Sequence, residues 1–213
     1  MRSTHDCIVI GAGPAGSAAA ILLARAGWSV ALLESEPFPR RKVCGECVAA
    51  SNLSLLDALG VGETLRQRAG PELRRVALWL GYESITAALP AGAERHPWGW
   101  ALRREHLDLA LIEHARAAGA TLLQPGKALS IRRHASDACC QVDVARDDGT
   151  MLALCAPVVI RAHGSWHRPP PDGRPGRRAR CRPSDLLAFK ASFRNARVED
   201  GLLPVLAFAG GYG

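Results

Sequence analysis

The 213-residue chain is 48% hydrophobic and 22% charged, a composition that excludes a mostly disordered protein and suits a folded globular one. At that length, one large domain or one domain with part of another can bury about 70% of the surface its unfolded form exposes. The net charge of +7 invites a nucleic-acid reading, but seven arginines against the single acid Asp172 place +6 of it between Arg161 and Arg182.

In chain order, Cys7–Ile10 is a short apolar run bounded by glycine, as expected of a strand buried on both faces. A helix is predicted from Pro14 to Ala26, with Ala15, Ala18, Ala19, Leu22, Leu23 and Ala26 on its apolar face and Gly27 as its C-terminal stop. Residues 29–33 make a second apolar strand ending at Glu34, which completes a βαβ unit. Residues 51–69 read as two short helices broken around Gly60 and Gly62, and residues 73–89 as a hairpin turning near Gly81. A helix follows over 105–118, with Leu107, Ala110, Leu111, His114 and Ala118 on one face, and Thr121–Leu123 begins another strand. Residues 127–134, 139–146 and 150–155 alternate as a small antiparallel meander turning at Asp148-Gly149. Val158-Val159-Ile160 is one more buried strand, and 186–194 and 203–208 read as strands as well. Between them, residues 166–183 hold five prolines among the arginines, which excludes regular structure and predicts a solvated loop. Apart from Trp166 no aromatic residue is interleaved with those arginines, so no nucleic-acid partner is expected.

The chemistry begins at Gly11-Ala12-Gly13-Pro14-Ala15-Gly16, a Gly-x-Gly-x-x-Gly turn placed between a strand and a helix. In that setting Gly11 permits a tight turn, Gly13 lets backbone approach a pyrophosphate, and Gly16 lets helix and strand pack closely. The helix N-terminus, opened by Pro14 and Ala15, presents N–H groups and a positive dipole end to phosphate. Glu34 closes the second strand, where a carboxylate can bind a ribose diol and would repel a 2′-phosphate. The unit therefore expects FAD or NAD rather than NADP.

Further segments separate these two by resemblance. Phe38-Pro-Arg40-Arg-Lys42-Val-Cys44-Gly45-Glu46 and Arg104-Glu-His-Leu-Asp108 are similar to segments of the geranylgeranyl-reductase-like branch of FAD-dependent oxidoreductases and flavin monooxygenases. Ser184-Asp-Leu-Leu-Ala-Phe-Lys190 and Phe208-Ala-Gly-Gly-Tyr-Gly213 resemble the same branch. The resemblance implies a Rossmann-like α/β fold with FAD extended over the sheet. It implies that the glycine turn and Glu34 hold the adenosine end, that Arg40 and Arg104 contact the cofactor with Lys42 beside them, and that Cys44 and Gly45 lie toward the flavin. It also implies an FAD-binding domain over 1–72 and 101–165, a partial substrate-side β domain over 73–100 and 184–213, and the 166–183 loop between. The family's Asp-Gly pair after the last sheet strand is replaced here by His163-Gly164, which leaves the backbone of Gly164 as the cofactor contact. The family continues beyond a Gly-Gly-Tyr-Gly stretch, so the chain reads as an N-terminal portion with an incomplete substrate domain.

The implied activity is oxidation–reduction of an apolar or aromatic small molecule, with NAD(P)H as a candidate electron donor and no side chain singled out as a catalytic acid or base. Two alternatives stand beside it: a flavin-linked thiol–disulfide enzyme using Cys44 and Cys47, and a non-catalytic dinucleotide-binding remnant. The Cys44-x-x-Cys47 pair has no second ligand pair at zinc spacing, so no metal is expected. Seven cysteines without a secretory signal read as the reduced thiols of a cytoplasmic protein. The uncharged run Cys7–Ala24 is long enough for a membrane span, yet its glycines and Pro14 fit the phosphate turn better. The sequence assigns neither a particular substrate nor an oligomeric state.

Overall fold

A computed structural model describes residues 3–133, 139–164, 188–193 and 195–213. The arginine- and proline-rich stretch 166–183 and residues 184–187 lie outside that set. Elements run β1 (Ser3–Thr4), β2 (Cys7–Ile10), α1 (Pro14–Arg25), β3 (Val30–Leu33), β4 (Cys47–Val48), α2 (Ala50–Ala58) and α3 (Gly62–Arg66). They continue with β5 (Glu72–Leu73), β6 (Arg75–Leu80), β7 (Glu83–Ala88), β8 (Gly99–Ala101) and α4 (Arg104–Ala117). The second half holds β9 (Thr121–Leu123), β10 (Lys127–Arg133), β11 (Cys140–Ala145), β12 (Met151–Ala156), β13 (Val158–Arg161), β14 (Leu202–Phe208) and β15 (Gly211–Tyr212). No helix among the described residues is long and apolar enough to cross a membrane.

The chain divides into two compact units, one from Met1–Arg41 with Leu107–Leu187 and one from Lys42–His106 with Ala188–Gly213. In unit one, β13-β2-β3-β9 form a parallel sheet in that order, with α1 as the crossover between β2 and β3. Parallel neighbours need such a crossover because a tight turn cannot reverse the chain twice. A second sheet, β1-β12-β11-β10, contains the predicted meander. Ile8 and Ile10 of β2 and Ala31 and Leu33 of β3 pack against Ile131, Val142, Val144 and Leu154 of that sheet. The other side of β2 buries Cys7 and Val9, so the strand is apolar throughout. Burying each large side chain contributes about 1.5–3 kcal/mol, which makes this sheet the rigid base of the glycine turn.

Two helix faces differ from their apolar periodicity. α1 buries Gly16, Ser17, Ala20 and Ile21, while Ala15 is exposed and Leu22 is 57% exposed. Gly16 must face inward for helix and strand to approach closely, and that requirement rotates the helix by about one residue. α4 buries Asp108, Ala110, Leu111, Ile112 and Ala115, so Asp108 replaces Leu107 on the inner face. Its inward turn meets Arg40, as described below.

In unit two, β15-β14-β6-β7 form one sheet and β4-β8-β5 a smaller one, with α2 and α3 beside them. The predicted hairpin is β6–β7, and β14 joins β6 in parallel rather than through a second hairpin. The strand expected over 186–194 is absent from the described residues 188–193. Over these residues no strand ladder forms, and Phe189 and Phe193 stay exposed. An apolar run alone cannot supply the ladder that a strand requires.

Candidate functional site

The glycine turn grows directly from the sheet. Gly11 N–H donates to the Leu33 carbonyl at 2.8 Å, and Ala162 N–H donates to the Ile10 carbonyl at 2.8 Å. Gly11 has φ +103, and a Cβ there would lie 2.5 Å from the Ala162 carbonyl oxygen. A Cβ on Gly16 would lie 1.8 Å from the Gly11 carbonyl oxygen, an impossible overlap. Two of the three motif glycines are thus held by backbone on backbone. Gly13 is the N-cap of α1 in extended conformation, Pro14 occupies the first turn, no side chain caps the helix, and no acid lies in that turn. Ser17 supports the turn from beneath, its buried hydroxyl donating to the Ala12 carbonyl at 3.1 Å. An uncapped helix end with a positive dipole and close access to its backbone suits a pyrophosphate, so the residues fit a dinucleotide.

Glu34 is 2% exposed and ties the turn to the end of β3. Its Oε2 accepts the Ala12 N–H at 3.0 Å, while its Oε1 accepts Arg40 Nη1 at 2.8 Å and the Glu36 N–H at 3.0 Å. Each carboxylate oxygen can accept more than one hydrogen bond, and among the described residues Oε2 accepts from Ala12, so a further hydroxyl can be accommodated. Arg40 also lies with Nε 3.9 Å from Asp108 Oδ2, and its guanidinium stacks 4.7 Å over the Phe38 ring. The cation is therefore within ion-pair distance of two buried carboxylates. Asp108 closes the family-like segment Arg104–Asp108, and its burial on α4 brings it into this cluster. Gly164 follows β13 in the same unit, exposed and with φ +79.

Lys42, Cys44, Gly45 and Arg104 belong to unit two. Lys42, Cys44 and Arg104 are half-buried, Gly45 is exposed, and Cys44 and Cys47 are free thiols. Glu46, which sequence reasoning quoted without assigning it, organises this region. It adopts φ +54, and its carbonyl accepts the Leu102 N–H at 2.6 Å. Its Oε1 accepts the Arg104 N–H at 3.2 Å at the start of α4 and also pairs with the Lys190 ammonium. Burial pushes the Glu46 carboxyl up, but Lys190, the Arg104 N–H and Arg103 together hold it below the ordinary carboxylate range. Three of the four family-like segments thus meet at one carboxylate. Among the described residues no group of three or more His, Cys, Asp or Glu side chains could hold a metal ion.

Unit two also contains a cavity of about 400 Å³. Its walls are the start of α2 with Cys47–Ala49 before it, residues 89–92, the Trp98-Gly99 pair, Leu73 and Leu203. None of the lining side chains carries a charge, and Cys47, Ser51 and Trp98 supply the polar groups. No motif marked this cavity, because its residues come from five separate stretches of chain.

The family model described as FAD binding domain matches residues 4–168. The chain is 32% identical over 174 residues to menaquinone reductase of Mycobacterium tuberculosis, covering 76% of this chain and 41% of that protein. It is 31% identical over 180 residues to menaquinone reductase of Mycolicibacterium smegmatis, covering 79% and 42%. The chain therefore spans about two fifths of the length of these curated relatives. Among solved structures, p-nitrophenol 4-monooxygenase from Pseudomonas putida superposes with a TM-score of 0.67 at 23% identity, covering 77% of this chain and 42% of that one. A geranylgeranyl bacteriochlorophyll reductase-like protein from Thermoplasma acidophilum gives 0.63 at 24% identity, covering 77% and 40%. The myxobacterial chondrochloren halogenase gives 0.69 at 24%, covering 78% and 38%. These structures share the fold.

Proposed function

The chain belongs to the FAD binding domain family, and from that premise we propose that it is the cofactor-holding part of an FAD-dependent oxidoreductase acting on an apolar or aromatic small molecule. The observation that carries this reading is the uncapped N-terminus of α1, set behind a turn whose Gly11 and Gly16 have no room for a Cβ. Gly11, Gly13, Pro14, Ala15 and Gly16 would hold the pyrophosphate by backbone and dipole. Glu34 would accept a ribose hydroxyl on Oε2 while Arg40 keeps its Oε1 engaged. Lys42, Cys44, Gly45 and Arg104 would lie toward the rest of the cofactor, with Gly164 contributing backbone. In this reading residues 1–72 and 101–165 serve the cofactor, and 73–100 with 184–213 serve the substrate.

FAD, when bound, supplies the hydride or oxygen chemistry, and the protein binds, orients and shields it from water. Menaquinone reductases among the relatives support a quinone-like substrate, and the uncharged lining of the unit-two cavity supports an apolar one. NAD(P)H is the electron donor we propose for the whole protein. The test is the visible absorption spectrum of the purified chain before and after adding FAD, followed by gel filtration. Flavin bands that co-elute with the protein are expected. A chain that retains no added FAD and leaves flavin fluorescence unchanged would overturn the assignment.

A further inference from the structure

Resting on the apolar-substrate reading above, we propose that residues 89–98 form a strap pinned to α2, and that this strap closes one wall of the unit-two cavity so that it admits uncharged compounds. The strap is folded on itself, with the Gly92 N–H donating to the Pro97 carbonyl at 2.8 Å and the His96 N–H to the Ala93 carbonyl at 2.9 Å. It touches α2 at two places. At the first, Gly92 lies against Ala50, and a Cβ on Gly92 would come 2.8 Å from the Ala50 Cβ and 2.6 Å from the His96 carbonyl oxygen. At the second, His96, 4% exposed, places Nε2 2.7 Å from Asp57 Oδ2 near the end of the same helix. Arg95 approaches that carboxylate as well, with Nε at 3.4 Å. His96 also packs edge-on against Trp100 at 6.2 Å, and Arg66 in turn covers the Trp100 ring.

The strap and α2 contribute facing walls: Leu89, Pro90, Ala91 and Gly92 from one, Ala50 and Ser51 from the other. Fixing one to the other fixes the width between them. Two charged groups border this arrangement: Asp57, engaged by His96 and Arg95 with hydrogen bonding from His96 holding its carboxyl below the ordinary range, and Arg74, which stacks 5.9 Å over the Trp98 ring and pairs with Glu72. A carboxylate or ammonium entering the cavity would lose its water among uncharged lining side chains and find the bordering charges already paired. An uncharged ring system meets apolar walls and three polar groups able to orient it. His96 is a positioning residue here, acting through Asp57, and Gly92 sets the distance of closest approach.

Cys47 lines the cavity and reports its occupancy. In a Cys44→Ser background, alkylation of Cys47 by N-ethylmaleimide is followed by mass spectrometry against Cys139 and Cys140 of the same chain, with naphthalene or 2-naphthoate added. Naphthalene is expected to slow Cys47 alkylation about tenfold relative to the reference thiols, and 2-naphthoate to leave it unchanged. Gly92→Ala and His96→Ala should lose most of that shielding, and His96→Gln should regain it because its amide can still donate to Asp57. A cavity that naphthalene does not shield, equal shielding by both ligands, or variants that shield as fully as the parent overturns the proposal. Should His96→Ala fail to fold, Gly92→Ala decides the question. Retained FAD without shielding removes the strap and leaves the flavoprotein reading, and shielding without retained FAD does the reverse.

Discussion

The two units build their sites by opposite means. In unit one the contacts that leave a sequence signature join residues close in sequence, Gly16 over Gly11 and Glu34 with Arg40 six residues on, and long-range contacts from Ala162 and Asp108 complete them. In unit two the contacts join distant residues: Glu46 reaches Lys190 across 144 positions, and Asp57 reaches His96 across 39. Chemistry carried by local spacing leaves a motif, whereas chemistry carried by tertiary contact leaves separate residues with no pattern between them.

The sharpest way to break that comparison is at Arg40, where the local partner Glu34 and the distant partner Asp108 meet. Arg40→Ala removes the buried ion pair with Glu34 and the approach to Asp108, and is expected to cost about 3–5 kcal/mol, read as a lower urea midpoint. If the loss is under about 1 kcal/mol, the cluster is solvated and the burial argument fails. Next, Gly16→Ala drives a methyl group into the Gly11 carbonyl. A loss of about 1–3 kcal/mol is expected together with loss of FAD from the gel-filtration peak, whereas a variant that retains both places the cofactor elsewhere. Glu46→Ala should cost about 1 kcal/mol by removing the cap on α4, visible in the thermal midpoint. The smallest effect is in pH. Because the folded Glu46 carboxyl is held below its unfolded value of about 4.3, its stabilisation is present above that value and is lost as pH falls through the lower folded one. Thermal midpoints measured between about pH 6 and 3 should fall less steeply in Glu46→Gln than in the parent, and superimposable curves would remove Glu46 as a contributor.

What was legible in the sequence follows the same division. The βαβ unit, the meander, the β6–β7 hairpin and the glycine turn between β2 and α1 all rest on short-range periodicity or glycine spacing, and each is present in the fold. The helix faces of α1 and α4 were each read about one residue out of place. In both cases the residue turned inward is one that hydrophobic periodicity discounts, Gly16 with no side chain and Asp108 with a charge. The same discounting hid Glu46, whose left-handed conformation and helix-capping carboxylate have no hydrophobic signature. The strand expected across 186–194 failed for the converse reason, since apolar residues are present there and no strand ladder forms over residues 188–193.

The parallel sheet also constrains the order in which the protein can be made. β2 sits between β3, which follows it at once, and β13, which pairs Val158 with Cys7 and Arg161 with Ile10. While a ribosome releases the chain, β2, α1 and β3 can assemble early, but the flank of β2 that β13 will occupy waits until about 125 residues beyond β3 have emerged. The Ala162 carbonyl that crowds Gly11 arrives at the same late moment. The phosphate turn, first in the sequence, is therefore among the last parts of unit one to reach its final shape, and a nascent chain halted before β13 would present an open apolar strand to whatever chaperone meets it.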